Sequence, residues 1–414
     1  MSAPLHRTRP GASAIRPAGD EAAVDLGDGI WMHEGLSNSY LLTTGAGRVI
    51  VNTGMGFEGP RHRRAFDAVD PAPTSHVVLT QGHFDHVGGV DTFLERETEV
   101  VAQDNFWIWR DDNERLEAFR TRNAAFAWID AILAALAHAR DVGETAQSRP
   151  EPTVTFEREL ELDVGGRVLQ LHAVPGGETT DALVMWLPES RTLLSGNLFG
   201  PLFGHVPNLV TIRGDRYRDA LAYVSSLDLV LDLAPERVVT GHFEPIEGAA
   251  LIADEVTRMR DATRYVHDRT VDGMNAGVDV HTLMREIRLP PELDVGEGYG
   301  TVPWNVRAIW ENYAGWFHHR STTELYAVPP LGVAPDLVAA AGVEALVDAA
   351  RARLDDDQPV EALQLTDVVL AVAPDDAGAR SVALAAHEAL LQVSENFWER
   401  AWLVRAISKL GGDA

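Results

Sequence analysis

The 414-residue chain contains no cysteine, so disulfides and thiolate metal ligands are both excluded, and redox chemistry says nothing about its compartment. Lysine is nearly absent as well. Lys409 is the only lysine among 35 Lys and Arg residues, a bias that genomic base composition explains as readily as function. Positive charge is scarce overall: the formal net charge is −27 and the pI lies near 4.8. Binding to a phosphate backbone or an anionic membrane needs basic patches, so neither a nucleic-acid nor a membrane partner is expected. Long apolar runs are also missing. Residues 1–20 lack an apolar h-region and no stretch reaches membrane-spanning length, which makes cytoplasmic residence the expectation.

What is present suits an enzyme of more than one domain. The length exceeds a single typical core, and the hydrophobic content of 45% is ordinary. Strand-like segments occupy residues 29–33, 39–43, 48–51, 76–79, 98–101, 152–162, 167–173, 183–187, 192–194 and 237–240. Between them, an aromatic-rich helical section carries Trp107, Trp109, Phe119, Phe126 and Trp128 and continues to His138. A core-facing stripe is the expected role of that section, with an apolar wall over a site as the alternative. From about residue 247 the apolar period becomes helical, at 249–275, 279–287 and 305–317. Beyond the linker Val328-Pro329-Pro330-Leu331-Gly332 it stays helical at 343–354, 359–372 and 376–392.

One loop carries recognisable chemistry. The apolar run His76-Val77-Val78-Leu79 ends at Thr80-Gln81-Gly82-His83-Phe84-Asp85-His86-Val87-Gly88-Gly89, where the two glycines are expected to ease a turn into a following helix. Two histidines and an aspartate therefore converge at a strand end. Imidazole nitrogen and carboxylate oxygen together suit Zn²⁺, with Mn²⁺ or Fe²⁺ as alternatives.

This loop resembles the His-x-His-x-Asp-His signature of the metallo-β-lactamase superfamily, with Gln81 standing where the first histidine is found. Within that superfamily the chain is similar to the alkyl sulfatases. Pro175-Gly176-Gly177-Glu178 resembles their Pro-Gly-Thr-Glu loop, Asn208 and Arg213-Gly214 their Asn and Arg before a Gly, and His242-Phe243-Glu244-Pro245 their late His-x-x-Pro. Arg264–Asp268, Leu289-Pro290-Pro291, Gly298–Val302 and Asn312–Phe317 resemble the family's dimerisation region. The resemblance runs from about residue 30 to near the end.

The resemblance implies an α/β fold: a metallo-β-lactamase αβ/βα sandwich over residues 1–246, followed by an all-α dimerisation region over 247–414 that forms a homodimer. It makes Asp85, His86 and His242 the ligands of one metal. His83 and Glu178 match ligands of a second, whose third place is taken by Gln81 and whose bridging glutamate falls on Asn197. Asp85 and Glu178 offset only one dication, and neutral amide oxygens replace imidazole or carboxylate poorly on zinc. One firm zinc and a weak or absent second are therefore expected. Asp181 and His205 are candidates for replacement donors or a general acid.

Asn208 and Arg213 match the positions that hold sulfate, so the implied reaction is hydrolysis of a small anionic organic sulfate monoester by metal-activated water. Two other classes fit the altered ligand set. One is a mononuclear enzyme acting on a lactone, phosphoester or amide, or using O₂ at iron; the other is a non-catalytic scaffold dimer. Long family members continue into a sterol-carrier-like domain, and this chain stops before one, which favours a smaller or bulkier ester over a detergent-sized one.

Overall fold

In the computed structural model, which describes residues 3–142 and 146–412, the strand-rich part of the chain makes two sheets. The first runs in sequence order through β1 (Val24–Asp25), β2 (Ile30–His33), β3 (Ser39–Thr44), β4 (Gly47–Val51), β5 (Thr74–Val78), β6 (Glu99–Gln103) and β7 (Val154–Phe156). The second contains β8 (Glu159–Val164), β9 (Arg167–Ala173), β10 (Leu183–Leu187), β11 (Thr192–Gly196), β12 (Arg237–Thr240) and β13 (Ile246–Glu247), ordered 13-12-11-10-9-8. Strands β4 to β7 pair in parallel, as do β11 and β12, and the remaining pairs are antiparallel.

Strand alternation explains the layering. Successive side chains point to opposite faces of a strand, and β10 is buried along its whole length. Leu183, Met185 and Leu187 meet Val49, Val51, Val78 and Val101 of the other sheet, while Val184 and Trp186 face outward into a helical layer. The first sheet repeats this pattern, turning Ile50, Val77 and Leu79 outward onto Phe66, Val87, Phe93 and Phe106. The result is the αβ/βα sandwich expected from the sequence. Each fully buried Val or Leu contributes roughly 1.5–3 kcal/mol of transfer free energy.

The period does change near residue 247, because β13 ends there and the helix Ala249–Asn275 begins. The compact unit does not end with it. Ile252, Val256, Met259, Ala262 and Val266 of that helix cover the outer face of the second sheet, joined by Val280 and Leu283 of Val280–Glu286 and by Val302, Val306 and Ile309 of Val302–Ala314. The first unit thus spans Met1–Gly315 and the second Trp316–Ala414. The second unit has its own core, in which Val347, Ala350, Ala362, Val369, Ala379, Val382 and Ala386 pack together. Among the described residues no single helix is both long and apolar enough to cross a membrane.

Three local readings change. Residues 152–162 divide into β7 and β8, which belong to different sheets. A short helical turn, Phe84–Val87, precedes Gly88, and the helix expected after Gly88-Gly89 is a single 3₁₀ turn, Val90–Thr92. The helix Ala220–Leu233, capped by Asp219 accepting from Ala222 N at 2.8 Å, has no counterpart in the sequence reading.

Candidate metal centre

Strand ends deliver the ligand residues. Asn52 Oδ1 accepts from both Thr80 N and Thr80 Oγ1 at 3.0 Å, fixing the chain as it leaves β5 toward Gln81. At the end of β11, Gly196 has φ +49°, and a Cβ there would lie 2.4 Å from Thr80 Oγ1, so only glycine lets Asn197 sit beside this loop. Past β12, Phe243 adopts φ 63° directly after His242, and Asn38 Nδ2 donates to its carbonyl at 2.8 Å. A bulky residue in that left-handed region is strained, and the strain is tolerated where it aims His242 inward.

Asp85, His86 and His242 form a cluster whose donor atoms all lie within 4.8 Å of one another. Ser37 Oγ contacts His86 Nδ1 at 3.1 Å, which orients the ring and leaves Nε2 facing the cluster. His86 Nε2 and His242 Nδ1 are buried without a hydrogen-bond partner. Burial lowers both histidine pKa values to about 4, so their lone pairs are free at neutral pH. Two orphaned imidazole nitrogens beside a carboxylate fit a transition-metal dication.

The other half of the expected two-metal site is built differently. Gln81 Nε2 lies 2.9 Å from His83 Nδ1, so an amide donor already occupies that lone pair. Asn197 Nδ2 donates to Glu178 Oε2 at 2.9 Å. Arg213 Nη2 donates to Glu178 Oε1 at 3.2 Å, and Arg218 Nη2 stands 3.7 Å from the same oxygen. Burial alone raises a carboxyl pKa, but Arg213, His83 and Arg218 reverse that and bring Glu178 down to about 2. His83 is held neutral, near 4, by burial and by Arg213.

Arg213 is fully engaged: Nε donates to Asp215 Oδ2 at 2.6 Å and Nη1 to Tyr299 Oη at 2.9 Å, beyond its bond to Glu178. Burial opposes its charge, yet Asp215, Tyr299 and Glu178 hold the guanidinium protonated well above the ordinary range. Arg120 Nη2 reaches Asp215 Oδ1 at 3.3 Å while its Nε is buried without a partner. Three guanidiniums therefore face two carboxylates, leaving one positive charge beside the triad. Asp215, Arg218, Tyr299 and Arg120 were not singled out in the sequence; the alternation of charge around Gly214, from Arg213 to Arg218, is the signal that could have found the first two.

These groups open onto a cavity of about 450 Å³ lined at one end by His83, Asp85, Glu178, Asn197, Arg213 and His242. Ala124, Ala125, Trp128, Ala131 and Ile132 form an apolar wall, with Met55, Phe57 and Phe84 among the residues that complete it. The aromatic helical section therefore builds the wall rather than a core stripe. Phe106 and Trp109 are buried, but Phe119 and Ile129 are each 50% exposed. Helical spacing looks the same whether a stripe covers a sheet or a cavity. Trp109 sits against the His83 ring at 5.2 Å and donates to Thr180 Oγ1 at 3.1 Å.

Other expected residues lie elsewhere. Gln81 and His86 are buried behind the cavity surface. Asn208 does not line the large cavity: it borders an adjoining one of about 10 Å³ with Glu178, Arg218 and Tyr299, and its amide has no partner. His205 accepts from Gly298 N at 2.9 Å and serves the loop around Gly296, away from the triad. Asp181 is buried near Gly82, where burial raises it to about 7, and it joins no ligand cluster among the described residues.

The model of the metallo-beta-lactamase superfamily matches residues 33–242, and that of the alkyl sulfatase dimerisation region matches residues 280–412. A linear primary-alkylsulfatase of a Pseudomonas species is 30% identical over 397 residues, covering 88% of this chain and 72% of that protein. The chain belongs to the alkyl sulfatase family of the metallo-β-lactamase superfamily. The alkyl/aryl-sulfatase BDS1 of Saccharomyces cerevisiae is 25% identical over 81% of this family member and 55% of its own length. The stereoselective inverting sec-alkylsulfatase Pisa1 of Pseudomonas shares the fold, with a TM-score of 0.80, 22% identity, and coverage of 95% of this chain and 66% of that one. This alkyl sulfatase family member thus spans between about half and three quarters of these relatives. Its superfamily implies a metal cofactor, and Asp85, His86 and His242 are the residues that fit one.

Proposed function

We propose that this protein hydrolyses a sulfate monoester of an organic alcohol, releasing the alcohol and sulfate, with one zinc ion at Asp85, His86 and His242. A dication bound there supplies Lewis acidity and activates water for attack. Asp85 and the two neutral imidazoles hold it, with Ser37 orienting His86. The ester's anionic group is drawn to the metal ion and to the Arg120 and Arg213 guanidiniums that line the cavity. Arg213, pinned from three sides, keeps its orientation while charge builds on sulfate oxygens, which is the condition for preorganised electrostatic stabilisation. The wall from Ala124 to Ile132 excludes water around the organic group.

One observation supports this reading above all: the ligand candidates Asp85 and His242 and the guanidiniums of Arg120 and Arg213 line one cavity, whose remaining surface is mostly apolar. The helical region suits a homodimer, as the matched dimerisation model suggests. The experiment is elemental analysis of purified protein, followed by ion-chromatographic detection of sulfate from linear, secondary and aryl sulfate esters. Sulfate release that disappears with Asp85→Ala supports the proposal. A metal-loaded protein that releases sulfate from none of them, while cleaving phosphoesters or lactones, overturns it.

A further inference from the structure

The half-site containing His83 and Glu178 departs from metal binding in a coordinated way. A ligand for a dication presents a lone pair toward one shared point, and His83 Nδ1 and Glu178 Oε2 lie 3.8 Å apart, close enough to share an ion. Each of these two atoms is instead met by an amide N–H, from Gln81 and Asn197 respectively. The carboxylate charge is met on its other oxygen by Arg213 at 3.2 Å, with Arg218 behind it at 3.7 Å. Arg213 also comes within 3.5 Å of His83 Nε2. The His83 and Glu178 lone pairs that a second ion needs are thereby already occupied, while the amide oxygens of Gln81 and Asn197 are left buried without a hydrogen-bond partner. In the triad, by contrast, His86 Nε2 and His242 Nδ1 have no hydrogen-bond partner, and His86 Nε2 lies 3.5 Å from the Asp85 carboxylate.

We propose that the guanidiniums of Arg213 and Arg218, with the Gln81 and Asn197 amides as caps, replace the second metal ion, so that the centre pairs one metal with two fixed organic cations. The two unusual residues then have a shared physical reason. A carboxylate neutralised by arginine, beside a neutral imidazole, needs hydrogen-bond donors on its remaining lone pairs, and an amide supplies a donor where histidine or glutamate supplies an acceptor. Arg213 is a positioning residue in this role. It holds Glu178 and Asp215 in place and keeps a positive pole beside the triad without needing an ion to arrive.

This inference rests on the metal half of the proposed function and is tested by metal content rather than turnover. Wild-type protein, dialysed against excess zinc and then desalted, should retain one ion per chain. Glu178→Gln should retain that ion as well, since Glu178 is not a ligand. In the Gln81→His/Asn197→Glu variant, which restores acceptors at both positions, a second ion should bind. Adding Arg213→Met should tighten that second site at least about tenfold, because the guanidinium competes with a dication for the same carboxylate.

Two tightly held ions in wild type would mean that both amides turn their oxygens inward, and would overturn the inference. Loss of the ion in Glu178→Gln, or a second site unaffected by Arg213→Met, overturns it too. Near-UV circular dichroism identifies a variant that has not folded, and the Glu178→Gln measurement then decides on its own. No ion in wild type defeats the proposed function itself. One ion with no sulfate release leaves this inference standing and removes only the sulfatase reading.

Discussion

Gln81 and His83 are bound to each other, amide Nε2 to ring Nδ1, at 2.9 Å, so the residue that replaces a ligand also occupies its neighbour's lone pair. Both belong to a loop pinned at its start by Asn52. Gln81→Ala leaves the buried Nδ1 without a partner. We expect a loss of about 1–3 kcal/mol in urea unfolding, the usual cost of an orphaned buried acceptor, with unchanged metal content. Unaltered stability would show that water takes over the bond.

The apolar wall should govern substrate size. Ala125→Trp fills cavity space next to Trp128 and should raise KM for a sulfate ester with a large organic group at least tenfold, while a methyl or ethyl ester is affected much less. Ile132→Ala removes wall surface and should weaken binding of the large ester by roughly 1–2 kcal/mol, a few-fold to about thirtyfold in KM, in line with the area lost. Equal effects on small and large esters would place the organic group outside this cavity.

Acid should destabilise the metal-free protein. His83, His86, His205 and His242 each titrate near 4 in the fold, because burial disfavours the imidazolium, against 6.5 when exposed. Between those values the unfolded chain binds more protons, so the stability present above pH 6.5 is lost as pH falls toward 4. Glu58 and Asp181 act in the opposite sense, since burial raises each to about 7 and the folded chain holds their protons longer. Burial also lowers His33 and His62 and raises Asp85 and Asp367, so six lowered histidines stand against four raised carboxyls and acidification brings a net loss. Thermal melts of chelator-treated protein from pH 7 to pH 4.5 should show a falling midpoint, and a flat or rising midpoint contradicts the balance of charges described here.

Static light scattering at micromolar concentration should report a homodimer. In the second unit Trp316, Tyr326 and Val328 are 64%, 70% and 66% exposed. Large apolar side chains so close in sequence and so open to water are the kind of surface that a partner covers. Tyr326→Asp with Val328→Glu should shift the equilibrium toward monomer and leave metal content at one per chain. A monomeric wild type rules the dimer out.

What depends on strand ends was largely legible from the residues alone. Asp85, His86 and His242 follow short apolar runs that read as buried strands, and a histidine or aspartate just beyond such a strand has little structural reason to be there. The ion-pair network was harder to read. Asp215, Arg218, Arg120 and Tyr299 come from a loop, a helix start, the cavity wall and a distant turn, and only the tertiary fold gathers them around Glu178. Glu58 was hidden for a similar reason: its carboxylate accepts from Ala18, Leu36 and Met55 backbone N–H groups at 2.8 Å, shaping two loops of the cavity without belonging to any motif. Asn208 shows the opposite failure, since a matching position in the chain did not bring its amide to the large cavity.

Strands β6 and β7 pair in parallel, and a parallel pair needs a crossover of only a dozen or so residues. Here residues 104–153 lie between them. The surplus makes most of the cavity wall, yet none of Asp85, His86 and His242 comes from it. Most of the apolar wall thus comes from a different stretch of the chain than the metal triad, and the two are tied together by Arg120 of the crossover and Phe84 of the metal loop. Exchanging this crossover between relatives is a route to new ester preference on an unchanged metal triad.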